Sequence, residues 1–214
     1  MYNVTHIVLG APDPDAVFPN PQPNDAVIGV DSGAIECYKR AIPLTLALGD
    51  FDSITIEEKE CIKAFSNETN EFPADKDDTD TELALELAMT DYPSETIILY
   101  NWLGGRADHL MSILHLIYQP RFQTITEKIC FKNGKNIFHF FKPGNHEIKA
   151  DDSMTYISFI GMTPIEKLTL KNLKYPLENA SYAHPVSLVS NEILGSECQV
   201  SFDKGLLGVI QSRD

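Results

Sequence analysis

Apolar residues in the first half of the chain fall in short runs separated by polar stretches with a helical period. The runs at 4–10, 26–31, 44–48 and 96–100 predict buried strands, being short, rich in Val, Ile and Leu, and bounded by Gly, Asp or Asn. Helices are predicted between them at 34–41, 56–65, 80–89 and 107–117. The last carries Leu110, Ile113, Leu114 and Ile117 at i, i+3, i+4 and i+7. Strands alternating with helices predict a parallel α/β sheet. The stretch 12–23, with its repeated prolines, is a loop.

After Pro120 the texture changes. Short β-rich runs at 128–132, 137–141, 154–160, 167–170, 199–202 and 206–211 are punctuated by Gly, Pro and Asn, and no helical period of comparable strength appears. The pattern predicts an α/β chain in two parts: an N-terminal parallel α/β (Rossmann-like) domain over 1–122 and an all-β sandwich over 123–214. Alternating phenylalanines in the second part, such as Phe138, Phe140, Phe159 and Phe202, read as core.

Charge narrows the function. A formal net charge of -14 over 214 residues repels nucleic-acid phosphates and argues against DNA or RNA as a partner. The same field opposes a free nucleotide, so an ATP site here needs bound cations, with magnesium expected, or local basic residues such as Lys76 and Arg106. Cys37, Cys61, Cys130 and Cys198 are scattered without metal-ligand or disulfide spacing, and read as free thiols. No run of 18 apolar residues and no leader pattern occurs, so a soluble cytoplasmic protein is expected.

Three acidic or glycine-rich motifs sit where predicted strands end or helices begin. In Gly49-Asp50-Phe51-Asp52-Ser53, two aspartates follow a buried strand and could share a magnesium ion, a hard cation that prefers carboxylate oxygens and keeps room for phosphates. The same letters also suit a turn, with Ser53 or Thr55 capping the next helix. In Asp75-Lys76-Asp77-Asp78-Thr79-Asp80-Thr81-Glu82, Thr79 and Glu82 make a capping box, which places Asp80 in the first helical turn. In Gly104-Gly105-Arg106-Ala107-Asp108-His109, paired glycines before a helix suit an anion cradle, and Arg106 supplies a phosphate fork. All three lie on one edge of the predicted sheet, where α/β proteins bind ligands.

Together with Asp31-Ser32-Gly33-Ala34, and with Tyr175-Pro176-Leu177 and Ser190-Asn191-Glu192 in the β-rich half, these motifs resemble the thiamine pyrophosphokinase family. The resemblance implies an α/β catalytic domain that binds ATP, followed by a β-sandwich domain that binds thiamine. It also implies a homodimer, and transfer of pyrophosphate from ATP to the thiamine hydroxyl with release of AMP. It implies that Asp50, Asp52 and Asp80 hold Mg2+. It further implies that Asp31, Lys76, Thr79, Gly104, Gly105, Arg106, Asp108 and His109 surround the ATP, and that Asp80, Asp52 and Arg106 carry catalysis. Ser190 and Asn191 are candidate thiamine contacts, or alternatively a polar turn. Ser32 and Ile113 depart from the family pattern. Two other functions are weighed: another Mg2+-dependent phosphotransferase or phosphohydrolase using the same carboxylates, and a non-catalytic thiamine diphosphate or nucleotide sensor, against which the intact Asp50, Asp52, Asp80 and Arg106 set argues.

Overall fold

Buried aliphatic runs become the middle of a parallel sheet. The computed structural model describes residues 1–52, 54–73, 75 and 77–214. Its strands β1 (Tyr2–Val8), β2 (Ala26–Val30), β3 (Leu44–Gly49), β4 (Ser66–Glu71), β5 (Ser94–Tyr100) and β6 (Ile129–Lys132) lie in the order β6-β5-β1-β2-β3-β4. Every adjacent pair in that series is parallel. β2 is buried along its whole length, as expected of a central strand covered on both faces. Helices α1 (Ser32–Lys39), α2 (Ile56–Phe65), α3 (Asp80–Thr90) and α4 (Ala107–His115) follow β2, β3, β4 and β5 in turn. The result is a mixed α/β protein.

Local chemistry fixes the helix boundaries. Thr55 and Thr79 each accept a hydrogen bond from the third helical residue, while Glu58 and Glu82 reach back to the cap backbone, giving complete capping boxes on α2 and α3. The predicted helix over 107–117 stops at His115 and passes into a 3-10 turn at Leu116–Tyr118. Pro120 explains why helical backbone goes no further than this turn, because the residue before a proline is pushed out of the α region, and Gln119 is extended.

The chain divides into two compact units, Met1–Gly134 and Lys135–Asp214. The first runs past the boundary expected after residue 122 because β6 joins β5 in parallel. In the second unit, strands form at β7 (Asn136–Phe141), β8 (Gly144–Lys149), β9 (Tyr156–Gly161), β10 (Ile165–Lys171), β11 (Leu177–Tyr182), β12 (Val186–Asn191), β13 (Glu197–Phe202) and β14 (Leu207–Ser212). They pair antiparallel in the orders β12-β9-β14-β7 and β11-β10-β13-β8. Ile157, Phe159 and Val209 from the first set share one buried cluster with Leu168, Leu170, Val200 and Phe202 from the second.

Candidate active site

Because β1, β2, β3 and β5 are parallel, the segments that follow them emerge at one edge of the sheet. Strand order reverses direction at β1, which has β2 on one side and β5 on the other. Chains leaving two such strands diverge to opposite faces and open a crevice between them. A cleft of about 710 Å³ occupies this edge. It is lined by Leu9–Pro12 after β1, Asp31 and Ser32 after β2, Asp50 and Asp52 after β3, 78–81 at the start of α3, and Asn101, Trp102 and 104–106 after β5.

Three of the nine described non-glycine residues with positive φ lie at this edge. Asp31, Phe51 and Asn101 have φ of 49, 55 and 52°, a region that non-glycine residues enter rarely and that clusters at functional sites. Gly49, at φ 151°, lies against Asp31: a Cβ on it would stand 1.8 Å from Asp31 Oδ1. The strand-end glycine therefore makes room for the carboxylate of the neighbouring strand. Asp50 Oδ1 accepts the Asp52 amide at 3.0 Å, so the motif is a turn as well as an acidic pair. Thr55 is the cap of the following helix; Ser53, the other candidate, lies outside the described residues.

Asp50, Asp52 and Asp80 face the same cleft without forming a closed shell. Among the described residues, no three His, Cys, Asp or Glu side chains are grouped so as to hold a metal ion. The expected three-carboxylate set is thus not preassembled, and one Asp50 oxygen is engaged by the turn. What the set offers is hard oxygen donors lining one cleft, which suits a cation that draws its remaining ligands from phosphates and water.

The acidic segment before α3 is organised by a residue the motifs did not reveal. Arg121 donates to both oxygens of Asp78, at 2.9 and 2.7 Å, and to Glu82 Oε1 at 3.1 Å. The guanidinium beside Asp78 holds its carboxyl below the usual range. Burial pushes Glu82 up, but hydrogen bonds from Gln119 and Thr79 and the charge of Arg121 bring it below its ordinary value. Thr79 serves two purposes: it caps α3 and lines the cleft. Lys76, expected to meet ATP, lies outside the described residues.

Also lining the cleft, Gly104 and Gly105 have φ of 105 and 70°. Side chains there would press on Pro12, whose carbonyl oxygen would lie 2.9 Å from a Cβ on Gly104 and whose Cδ would lie 3.0 Å from one on Gly105. The glycine pair thus permits both a left-handed turn and close approach of the 12–23 loop. That loop is held by Asp13, buried, which accepts from Asn133 Nδ2 at 3.0 Å. Arg106 and His109 line the cleft, whereas Asp108 turns to Arg106, whose Nε donates to Oδ1 at 3.1 Å. That guanidinium draws the Asp108 carboxyl down to about 2. As the structure stands, Asp108 orients Arg106 and does not line the cleft. Asn101 Oδ1 and Trp102 Nε1 are buried without a hydrogen-bond partner among the described residues.

Ser190 and Asn191 lie in the second unit, at the end of β12. Ser190 is exposed, with φ 60°. Asn191 is buried, and its amide brackets Tyr175, accepting from the Tyr175 N–H at 3.0 Å and donating to its carbonyl at 2.8 Å. Its amide is therefore used in shaping a loop, and the exposed side chain it positions is Tyr175.

Comparison with known proteins gives the same direction as the geometry. Residues 22–129 match the thiamin pyrophosphokinase catalytic domain, and residues 145–207 match the thiamin pyrophosphokinase vitamin B1 binding domain. The chain is 38% identical over 189 residues to the thiamine pyrophosphokinase of Bacillus subtilis (strain 168), covering 87% of each protein. A solved thiamin pyrophosphokinase family protein from Enterococcus faecalis superimposes with a TM-score of 0.92 at 36% identity, over 98% of this chain and 99% of that one. The solved thiamine pyrophosphokinase of Bacillus subtilis gives 0.85 at 32% identity, over 99% and 100%. With both family domains matched in order and most of the chain aligned to a curated relative, this protein belongs to the thiamine pyrophosphokinase family.

Proposed function

We propose that this chain is a thiamine diphosphokinase that moves pyrophosphate from ATP to the hydroxyl of thiamine, giving thiamine diphosphate and AMP. The observation that carries the reading is the cleft at the switch point of the parallel sheet, which acidic residues line together with a glycine pair and Arg106. In this reading the first unit is a Rossmann-like ATP-binding domain and the second a β-sandwich that contributes thiamine contacts. The enzyme works as a homodimer in the cytoplasm, and its partners are small molecules, not nucleic acids. No helix among the described residues is long and apolar enough to cross a membrane.

Asp50, Asp52 and Asp80 would hold Mg2+, which supplies charge neutralisation for the triphosphate. The protein's own contribution is positioning. Backbone N–H groups around Gly104 and Gly105, at the start of α4, favour an anion there. Arg106 would exchange its exposed pairing with Asp108 for phosphate oxygens, a small loss because that pair is solvated. The thiamine hydroxyl oxygen forms a bond to the β-phosphorus of ATP as the bond from that phosphorus to the bridging α–β oxygen breaks, and AMP leaves with the bridging oxygen. Asp80 orients the hydroxyl and takes its proton. His109 and Thr79 flank the phosphates, and Asp31 faces the nucleotide from β2.

An assay of AMP release, run with and without thiamine in the presence of ATP and Mg2+, tests the reading. Thiamine-dependent AMP formation is the expected result. ADP or orthophosphate as product, or thiamine binding without turnover, would replace it with one of the two alternatives.

A further inference from the structure

Arg121 sits in a 3-10 turn (Pro120–Phe122), distant in sequence from the acidic segment, yet it is the point to which that segment is tied. Its Nη1 and Nη2 make the two-pronged bond to Asp78, Nη2 also reaches Glu82, and Glu86 Oε2 lies 3.6 Å from Nη1. Its Nε donates to Gln119 Oε1 at 2.8 Å, and the Gln119 amide donates in turn to Glu82 Oε1. The other Glu82 oxygen accepts from Thr79 N at 2.7 Å and Thr79 Oγ1 at 2.8 Å. The guanidinium carbon stands 4.8 Å from the ring of Phe122, which is fully buried, so the turn that carries Arg121 is anchored in the core.

A chain stretch with this many carboxylates repels itself and repels a nucleotide. A planar fork with five donors can satisfy two carboxylates in fixed geometry, which an ammonium group cannot. We propose that Arg121 is a positioning residue: by gripping Asp78 and Glu82 it fixes residues 78–81 on the wall of the cleft, and so sets where Thr79 and Asp80 meet the phosphates of ATP. This rests on the functional reading above and goes beyond it, since Arg121 is not among the cleft-lining residues. It divides the acidic segment by task. Asp78 and Glu82 hold the segment in place, and Asp80 meets the ligand.

The test uses the full chain with Arg121→Met, Arg121→Lys, Asp78→Asn and the double variant of Arg121→Met with Asp78→Asn. Three quantities are measured: amide hydrogen exchange over residues 77–82 without ligand, calorimetric binding of Mg2+ with α,β-methylene ATP, and thiamine-dependent AMP release. Arg121→Met is expected to speed exchange in that segment and to weaken nucleotide binding by about tenfold or more, while circular dichroism and exchange elsewhere stay as in the parent protein. Arg121→Lys should fall between, and the double variant should be no weaker than Arg121→Met alone, because both changes break one clamp. Unchanged exchange with affinity within about twofold of the parent would overturn the proposal. So would a loss spread over the whole molecule, which would make Arg121 a general structural residue. If the parent protein forms no AMP with thiamine, the functional reading fails, and the exchange measurement still decides the positioning role.

Discussion

At the scale of single residues, the cleft places groups with different duties side by side. Asp80 lies in the first turn of α3, where the helix start stabilises a carboxylate, and it faces the cleft. Asp80→Asn keeps the shape and removes the charge, so turnover in the AMP assay should fall by about a hundredfold or more with the thermal midpoint little changed. Near-parental turnover would remove Asp80 from the mechanism. Trp102 illustrates the opposite case. Its Nε1 is buried without a partner among the described residues, a situation that costs about 1–3 kcal/mol, and its ring packs on Phe131 at 5.2 Å. Trp102→Phe discards the unsatisfied donor and loses some packing, two terms of similar size and opposite sign. Urea unfolding should therefore place the variant within about 1 kcal/mol of the parent. A loss of about 3 kcal/mol or more would mean that the indole N–H has a partner in solution. The motif residues were legible because local chemistry demands them: glycines at positive φ, a threonine before a helix, aspartates after a strand. Arg121 and the Asp13–Asn133 pair were not, because their partners lie far along the chain and no local pattern marks them.

At the scale of elements, the strands that could be read were those with apolar periodicity. β4, with the sequence Ser-Asn-Glu-Thr-Asn-Glu, has none, and it is an edge strand whose pairing with β3 through backbone groups makes no demand on side-chain hydrophobicity. β11 and β12 were hidden for a related reason: both are edges of their sheets, and between them only Asn191 is buried. Helix starts were the reverse, since a capping box writes its geometry in four letters. The two boxes allow a controlled comparison. Thr55→Ala and Thr79→Ala each remove a cap and should each lower stability by about 1 kcal/mol. Only Thr79 lines the cleft, so only Thr79→Ala should weaken nucleotide binding measured by calorimetry. Equal effects of the two on binding would show that α3 is felt at the site through its stability alone.

At the scale of the whole molecule, two opposing electrostatic effects meet on acidification. The net charge of -14 shrinks as pH falls, which relieves self-repulsion. Specific groups act the other way. His6 is buried with Nε2 3.3 Å from Asp25 Oδ2 and Nδ1 3.2 Å from the Tyr100 hydroxyl. An ionised Asp25 can only accept, so Nε2 carries the hydrogen and Nδ1 accepts from Tyr100. Burial lowers the His6 pKa below 6.5 despite the raising influence of Asp25. The unfolded chain then takes up this proton first, so the contribution of His6 is full above pH 6.5 and is lost as pH falls below it. Asp25, Asp78 and Glu82 also have lowered values; their contributions are present above the ordinary carboxylate range and are lost as pH drops through it. At about 0.15 M salt the Debye length is about 8 Å, which screens the diffuse repulsion while leaving the buried His6 pair largely intact. The specific effects should therefore win. The thermal midpoint at that salt concentration should begin to fall near pH 6.5 and drop more steeply near pH 4, whereas His6→Gln should lack the first decline and keep the second. A midpoint that stays flat from pH 7 to 5 in the parent, or an identical slope in the variant, would show that bulk charge and not the buried histidine governs acid stability.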